Sequence, residues 1–108
     1  MAQYMLQFSY TADAWAALTK NPVDRSAGID ALAKKMGGKL VSLHYTLGEY
    51  DGVGIIEAPD DVSGMAAVLA AMAPGHLKTT RTTRLYSPAE LVSALRKSQG
   101  AGYKAPKE

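Results

Sequence analysis

The stretch GEYDGVGIIEAPDD, residues 48–61, decides the fold because it joins a turn, a short apolar run and a helix start. Residues 48–51 are turn formers, and residues 53–56 form an apolar run as long as a buried strand. Pro59 cannot donate a hydrogen bond to a neighbouring strand, so the strand must end before it. Asp60 and Asp61 can accept hydrogen bonds from the exposed amides of a helix N-terminus. The stretch predicts the second arm of a hairpin, followed by a helix.

Residues 39–47, KLVSLHYTL, alternate between two sides and predict the first arm of that hairpin. A tight connection is expected between the two arms. Asp51-Gly52 is the stronger local turn signal, whereas a turn at Glu49-Tyr50 would pair more residues. The sequence leaves this register open.

The N-terminal third predicts a strand and two helical segments. Residues 3–10 alternate polar and apolar side chains, which is typical of a strand with one buried face. Thr11 can cap a helix that is interrupted at Asn21-Pro22. Residues 29–36 then carry a second apolar stripe, and Gly37-Gly38 is a favourable helix end.

The chain beyond the central stretch predicts a helix, a strand and a final helix. The apolar stripe of the first of these helices is Met65, Val68, Leu69 and Met72. Residues 77–86 are rich in β-branched threonine and predict a fourth strand. Ser87 to Glu90 form a capping box with proline at the first helical position, so a helix to about Ser98 is expected. We place the domain at residues 1–98 and a loose tail at residues 99–108.

This order, βαββαβ with an extra C-terminal helix, predicts an α+β fold. The expected architecture is a ferredoxin-like sandwich, in which an antiparallel four-stranded sheet carries its helices on one face. The alternation assigns six side chains to the helix side, namely Leu6, Phe8, Val41, Leu43, Val53 and Ile55. The opposite, open face would then carry Met5, Gln7, Ser9, Leu40, Ser42, His44, Thr46 and Ile56.

Three of the eight residues assigned to the open face are apolar, and this mixed character favours a cover over exposure to water. The simplest cover is a second copy of the chain, packed sheet to sheet about a twofold axis. We therefore expect a homodimer or a higher homo-oligomer, with a pocket for a small molecule between the sheets. The predicted ligand-binding residues are Gln7, Ser42, His44 and Thr46, joined by Arg81 with Thr83 or by Arg84 with Thr82, according to the parity of the fourth strand.

Composition limits the classes of protein that remain. The 108 residues fit one domain, and 47% hydrophobic with 20% charged residues is typical of a globular chain. The sequence has no cysteine, which excludes disulfides, thiolate nucleophiles and cysteine-ligated metals. The N-terminus lacks the pattern of a signal peptide, and no apolar stretch reaches the length of a membrane span. We expect a cytoplasmic protein without a membrane partner.

The net charge of +2 is unevenly distributed along the chain. Residues 1–75 carry 5 basic and 8 acidic side chains, whereas residues 76–108 carry 7 and 2. A solvated basic surface accounts for this excess better than an anion site does. RNA-recognition domains share the predicted topology but display aromatic side chains on their third strand, which here reads GVGIIEA. No nucleic-acid partner is expected.

Four segments together resemble the GYD domain proteins, a small bacterial family named for a Gly-x-Tyr-Asp motif. They are QYMLQFSYT at 3–11, GEYD at 48–51 with Gly48, Tyr50 and Asp51, EAPDD at 57–61, and KTTRTTRLYSPAE at 78–90. The resemblance extends over residues 1–95 and implies a ferredoxin-like fold and the face-to-face dimer of the dimeric α/β barrel superfamily. It implies no activity, because the family is uncharacterised. Gly52 and Gly54 depart from the expected strand pattern and predict close backbone approach or a weaker strand.

His44 is the one candidate catalytic residue, because it could act as a general base or orient a carbonyl group. A lone histidine is more often a hydrogen-bonded interface residue, and no acidic partner is evident here. Arginine and threonine on the fourth strand also suit an edge that resists pairing with other sheets. A metal site from His44, Glu49, Asp51 and His76 would have no recognised spacing, so no metal and no other cofactor is expected.

Two functions follow as expectations. The first is a non-catalytic homodimer that binds a small, partly apolar molecule, an anion being one candidate, in the cleft between the sheets. The alternative is a cofactor-independent oxygenase or isomerase, because the implied superfamily contains such enzymes. The sequence leaves the choice between binder and enzyme open.

Overall fold

Four strands form one antiparallel sheet in the order β2-β3-β1-β4. In the computed structural model, which describes residues 1–106, the elements are β1 (Ala2–Tyr10), α1 (Ala12–Lys20), α2 (Ser26–Lys35), β2 (Lys39–Tyr45), β3 (Gly52–Ala58), α3 (Asp61–Met72), β4 (Leu77–Leu85) and α4 (Pro88–Ser98). The two helical segments predicted between the first and second strands are α1 and α2. The predicted ferredoxin-like α+β fold with an extra C-terminal helix is confirmed.

Side-chain caps begin the helices where the sequence predicts them. The Thr11 hydroxyl accepts a hydrogen bond from the Ala14 amide at 3.1 Å at the start of α1. The Asp60 carboxylate accepts one from the Ser63 amide at 2.8 Å at the start of α3. Gly37, which follows α2, has a φ of 89°, a left-handed conformation that favours glycine.

The connection between β2 and β3 is longer than the predicted tight turn. Tyr45 pairs with Gly52, so residues 46–51 form a six-residue loop and neither proposed two-residue turn is present. The Thr46 amide donates to the Asp51 carbonyl at 2.8 Å, and the Asp51 amide donates to the Phe8 carbonyl at 2.8 Å. The prediction was wrong because this loop is shaped by contact with β1 and not by local turn chemistry alone.

The core lies between the sheet and the two helices α2 and α3. Its buried members are Tyr4, Ala33, Ile56, Ala58 and Ala67. Ile56 is the most deeply buried large side chain of the described residues, with 2% of its surface exposed. Ala33 and Ala67 are small, so α2 and α3 approach the sheet closely.

The predicted facing of β3 is wrong. Ile56 belongs to the core, together with Ala33 and Ala67 of the helices, although it was assigned to the open face. Because strand residues alternate, Val53 and Ile55 lie on the open face and not on the helix side. Gly52 and Gly54 therefore occupy helix-side positions, where they leave the inner surface of the sheet without side chains.

A β-bulge in β2 explains the second error in facing. The register of β2 against β3 shifts between Leu40 and Ser42, which leaves Val41 unpaired and exposed. Leu40 pairs with Ile56 and packs against the core, so its assignment to the open face was wrong, as was the inner position of Val41. Leu43 pairs with Gly54 on the helix side, as predicted.

Helix α3 has its predicted apolar stripe, but most of that stripe does not face the sheet. Gly64 and Ala67 are the buried residues of α3, whereas Met65 and Leu69 are exposed. A Cβ atom at Gly64 would lie 2.9 Å from Cζ of Tyr4, so only glycine fits this contact with β1. The helix packs through small residues and leaves large apolar ones outside.

Helix α4 extends the molecule beyond its sheet. Residues 86–106 are all exposed, and the longest dimension of the molecule is 59 Å. Residues 107 and 108 of the predicted tail lie outside the described residues. Among residues 1–106, no helix is long and apolar enough to cross a membrane.

Candidate functional site

The Gly-x-Tyr-Asp loop is fastened to β1 and α1 by the side chain of Asp51. Its carboxylate accepts hydrogen bonds from the Tyr10 amide at 2.9 Å and from Nε1 of Trp15 at 3.2 Å. These donors are 41 and 36 residues away in the chain, so the aspartate joins three elements. The motif aspartate therefore has a structural role in this chain.

Other polar groups of the loop hold its backbone. The Thr46 hydroxyl donates to the Tyr50 carbonyl at 2.5 Å, and the Ser9 hydroxyl donates to the Glu49 carbonyl at 3.2 Å. Thr46 was predicted to bind a ligand, but its hydroxyl is engaged within the loop. Gly48 is exposed with open space around it.

Beneath the loop lies a group of rings, the aromatic cluster, made of Phe8, Tyr10, Trp15, Tyr45 and His76. Tyr10 is its centre, with ring centroids 5.4 Å from Phe8, 5.1 Å from Trp15 and 6.2 Å from His76. Edge-to-face and offset contacts of this kind stabilise a packed arrangement. The cluster closes one end of the space between the sheet and the helices.

The hydroxyl of Tyr10 is kept protonated by its surroundings. Burial raises the pKa of Tyr10 above its usual value of 10.0, and the hydrogen bond with the Tyr45 hydroxyl, 3.3 Å away, raises the pKa further. Tyr10 is therefore neutral near pH 7 and can donate a hydrogen bond.

An apolar cavity of about 70 Å³ lies between the inner side of the sheet and helix α2. Gly54 contributes no side chain there, which leaves room behind the middle of β3. The apolar walls are Leu6, Phe8, Ile29, Leu40, Ile56 and Leu77. Arg25, His76 and Tyr10 are the charged or titratable residues of its lining.

A wider groove of about 430 Å³ adjoins this cavity on the outside. Tyr10, Arg25 and His76 line both spaces, so they stand at the boundary between them. Within residues 1–106, the Arg25 guanidinium takes part in none of the salt bridges. An unpaired cation beside an apolar cavity is an arrangement that suits a small apolar anion.

The open face of the sheet carries most of the other predicted binding residues. Gln7 pairs with Arg81, and His44 pairs with Val53, so these side chains lie on the same face as Ser42 and Ile55. The structure resolves the open parity of β4 in favour of Arg81 and Thr83. Within the described residues, His44 has no hydrogen bond to an acidic side chain.

Arg84 lies on the other side of the sheet from Arg81 and has partners within the chain. Its guanidinium is 3.8 Å from the Asp61 carboxylate and 3.7 Å from that of Glu90. It also lies over the rings of Tyr86, at 4.5 Å, and Tyr4, at 5.6 Å. The structure thus does not bring Arg84 together with the residues of the open face.

The residues considered for a metal site are not assembled. Among residues 1–106, no three side chains of His, Cys, Asp or Glu lie close enough to hold an ion. His44 is on the open face, whereas His76 belongs to the aromatic cluster on the helix side of the sheet.

Sequence reasoning missed Arg25 and Tyr10 as site residues. Arg25 lies in the segment between α1 and α2, where no periodic pattern predicts a direction for its side chain. Tyr10 was interpreted only as a strand residue. The Asn21-Pro22 break was the available signal, because it predicts a loop close to the end of β1.

Comparison with known proteins fits the loop and the fold. The GYD domain matches residues 4–95. The chain belongs to the GYD domain family. The match includes the Gly48–Asp51 motif and most of β1 and α4. No curated protein matches the chain.

Solved structures with this arrangement are distant in sequence from this GYD domain. MtbAldR has a TM-score of 0.58 at 12% identity, over 80% of this chain and 53% of that one. FFRP-DM1 has a TM-score of 0.52 at 11% identity, over 80% and 100% of the two chains. TTHA0845 from Thermus thermophilus has a TM-score of 0.52 at 11% identity, over 81% and 95%. The GYD domain thus spans about half the length of MtbAldR, and these similarities show the fold alone.

Proposed function

We propose that this GYD domain binds a small, partly apolar anion and that it does so as a homodimer. The observation that carries the proposal is the apolar cavity behind β3, with Arg25 and His76 at its end. The sequence predicted such a ligand in the cleft between two sheets. The geometry of the chain favours the cavity between the sheet and α2 instead.

The size of the cavity limits the apolar part of the ligand. Its volume of about 70 Å³ is about half that of a protein cavity that holds benzene. A short or branched alkyl group of a few carbons fits this space. The adjoining groove of about 430 Å³ can take a larger remainder of the molecule.

The polar residues at the boundary favour an anionic head group. A carboxylate there would meet the Arg25 guanidinium, a planar donor that suits bidentate binding. The neutral Tyr10 hydroxyl and the His76 ring lie beside it. A short-chain carboxylate is therefore the simplest ligand class.

Binding is favoured over catalysis because the described residues offer no acid and base pair at either candidate location. His44 faces away from the cavity and lacks an acidic partner, and His76 contacts Tyr10 through its ring. General acid–base catalysis requires groups within hydrogen-bond reach of the reacting atoms. The residues at the cavity are suited to holding a ligand.

The homodimer is proposed to form through the open face. Met5, Val53 and Ile55 give this face an apolar centre, and polar side chains such as Gln7 and Ser42 surround it. An apolar patch with a polar rim is typical of a protein interface. The cleft lined by Gln7, Ser42, His44 and Arg81 would lie at this interface.

Titration of Trp15 fluorescence tests the proposal, because Trp15 is the only tryptophan and contacts Tyr10 at the cavity end. We expect isovalerate to change the emission, whereas isovaleramide, its neutral counterpart, does not. Arg25→Gln should weaken binding about tenfold or more, since hydrogen bonds to charged groups contribute about 1.5–3 kcal/mol. Arg81→Gln on the open face is the matched control.

The two variants separate the two locations. A loss of affinity in Arg25→Gln alone supports the cavity. A loss in Arg81→Gln alone would place the ligand in the cleft between sheets, and the cavity would not be the site. If neither a carboxylate series nor its neutral counterparts perturb the wild type, the proposed ligand class is wrong.

A further inference from the structure

Helix α4 presents an apolar side that its own chain does not cover. Leu91 and Leu95 lie one turn apart with 57% and 55% of their surfaces exposed, and Val92 beside them is 43% exposed. The opposite side of the helix carries Ser93 and Lys97. An amphipathic helix of 11 residues is stable in water mainly when its apolar side packs against another surface.

The start of α4 is fixed in a direction that leads away from the body. Only Tyr86 and Ser87 separate it from β4, and Ser87 forms a complete capping box with Glu90. Arg84 of β4 forms a salt bridge with Glu90 at 3.7 Å, which ties the first turn to the sheet. The radius of gyration is 17.7 Å, whereas a compact chain of this length has about 13 Å.

A second uncovered apolar surface lies on α3. Val62, Met65 and Leu69 are 77%, 63% and 57% exposed, and they follow the helical spacing of one stripe. A groove of about 340 Å³ runs beside this stripe, with Met65, Leu69 and Tyr86 in its lining. Tyr86 also lies just before α4, so the groove is close to the start of this helix. We call residues 86–98 the arm.

We propose that α4 of one copy packs antiparallel against the exposed stripe of α3 in a second copy, each chain giving its arm to the other. This inference rests on the self-association that the proposed function includes, but it concerns a different surface. A reciprocal exchange is what a twofold axis near the base of the arm produces. The antiparallel direction sets Leu95 against Met65 and Leu91 against Leu69.

The charges at the helix ends agree with this direction. Arg96 and Lys97 form the last turn of α4, and Asp60 and Asp61 begin α3. Antiparallel packing brings the basic end of the arm to the acidic end of α3. Parallel packing would place the basic end beside the last turn of α3, which has no acidic side chain.

The chain exposes more surface than a compact monomer of its mass. The accessible surface is 7847 Å², whereas a compact monomer of 11.4 kDa exposes about 5,800 Å². The excess of about 2,000 Å² per chain is in the range that obligate homodimers bury. The uncovered helix α4 and the residues after it, which are exposed throughout 86–106, contribute to this excess.

Engineered cysteines test the exchange in a chain that has none of its own. The full-length double variants Met65→Cys with Leu95→Cys, and Leu69→Cys with Leu91→Cys, are oxidised mildly and separated without reductant. We expect disulfide-linked dimers from both pairs. Met65→Cys with Ser93→Cys, which places the second thiol on the polar side of α4, should give far less product.

Every outcome of this experiment decides the proposal. Cross-linked monomers would show that α4 folds back on its own chain. A further outcome is that light scattering finds both double variants to be dimers although no disulfide forms. The arm exchange is then wrong, and the proposed sheet-to-sheet dimer is unaffected. If the wild type is a monomer, both the exchange and the proposed homodimer fail.

A second measurement does not depend on disulfide geometry. Leu95→Asp should lower the molar mass or weaken self-association at least tenfold, whereas Ser93→Asp should leave it unchanged. Circular dichroism confirms that both variants keep their fold. Equal association of the wild type and Leu95→Asp would overturn the proposal.

Discussion

The carboxylate of Asp51 accepts a hydrogen bond from the backbone amide of Tyr10 at 2.9 Å, although 41 residues separate them. The same oxygen accepts from Nε1 of Trp15. One side chain thus joins the β2–β3 loop, the end of β1 and helix α1. The aspartate of the Gly-x-Tyr-Asp motif sets the geometry of the aromatic cluster, which forms the end wall of the cavity.

Asp51→Ala should lower the free energy of unfolding by about 1–3 kcal/mol, because it leaves the amide of a buried residue without its acceptor. Urea unfolding followed by circular dichroism measures the change. Asp51→Asn should lose less, since both donors use a single oxygen that the amide side chain retains. Glu49→Ala, in the same loop and exposed, is the control and should stay within about 0.5 kcal/mol of the wild type. Equal stability of Asp51→Ala and Glu49→Ala would remove the structural role of the motif.

The two glycines of β3 should respond differently to alanine. A Cβ atom at Gly52 would overlap the ring of Phe8, whereas the nearest atom to one at Gly54 is Cδ1 of Leu43 at 3.6 Å. Gly52→Ala should therefore cost about 1–3 kcal/mol of stability, as overpacking does. Gly54→Ala should be within about 0.5 kcal/mol of the wild type. Thermal and urea unfolding of the pair test this difference, and a similar cost at both positions would contradict it.

The order of elements could be predicted because each boundary has a local chemical signal. Thr11, Asp60 and Ser87 cap helices through their own side chains, and Pro59 ends β3. These effects operate within a few residues, so one sequence is enough to locate them. The ferredoxin-like topology then follows from the order alone.

The facing of the strands could be predicted only where the alternation is unbroken. The bulge after Leu40 reverses the sides of β2 between its two halves, and no composition signal marks it. In β3, Val53 and Ile55 are more apolar than Gly52 and Gly54, yet the glycines face inward, and the ring of Phe8 occupies the space that a side chain at Gly52 would need. The size of side chain that fits at a position of β3 depends on the residue opposite it in β1. The sequence alone does not identify that residue.

The location of the cavity behind β3 could not be predicted from the sequence. A small, partly apolar ligand was expected, but in the cleft that contains Ser42 and His44. Arg25 and His76 come together with Tyr10 through the packing of α2 and the start of β4 against β1. His76 is more than 50 residues from both Arg25 and Tyr10 in the sequence, so no spacing pattern could indicate that the three come together.

The raised pKa of Tyr10 predicts how the free energy of unfolding changes at alkaline pH. Burial and the Tyr45 hydrogen bond raise the pKa of Tyr10 above 10.0 in the folded chain. The stabilisation by neutral Tyr10 is therefore complete below pH 10 and is lost as the pH rises from there through the folded pKa. Ultraviolet titration of tyrosinate should show a late-ionising component that is missing in Tyr10→Phe, in addition to that of Tyr4, whose pKa is raised by its hydrogen bond with Asp61. Tyr103→Phe, which changes an exposed ring, should keep that component.

The last prediction concerns the open face, through which the homodimer is proposed to form. Ile55→Arg would place a charge at the middle of the proposed sheet-to-sheet contact, where an unpaired buried charge is costly. We expect light scattering to show dissociation, with a dissociation constant at least tenfold higher. Ser42→Trp on the same face should act in the same direction by its bulk, whereas Ala31→Arg on the exposed side of α2 should have no effect. If Ile55→Arg and Ala31→Arg associate alike, the open face is not the interface, and the cleft with His44 and Arg81 does not form.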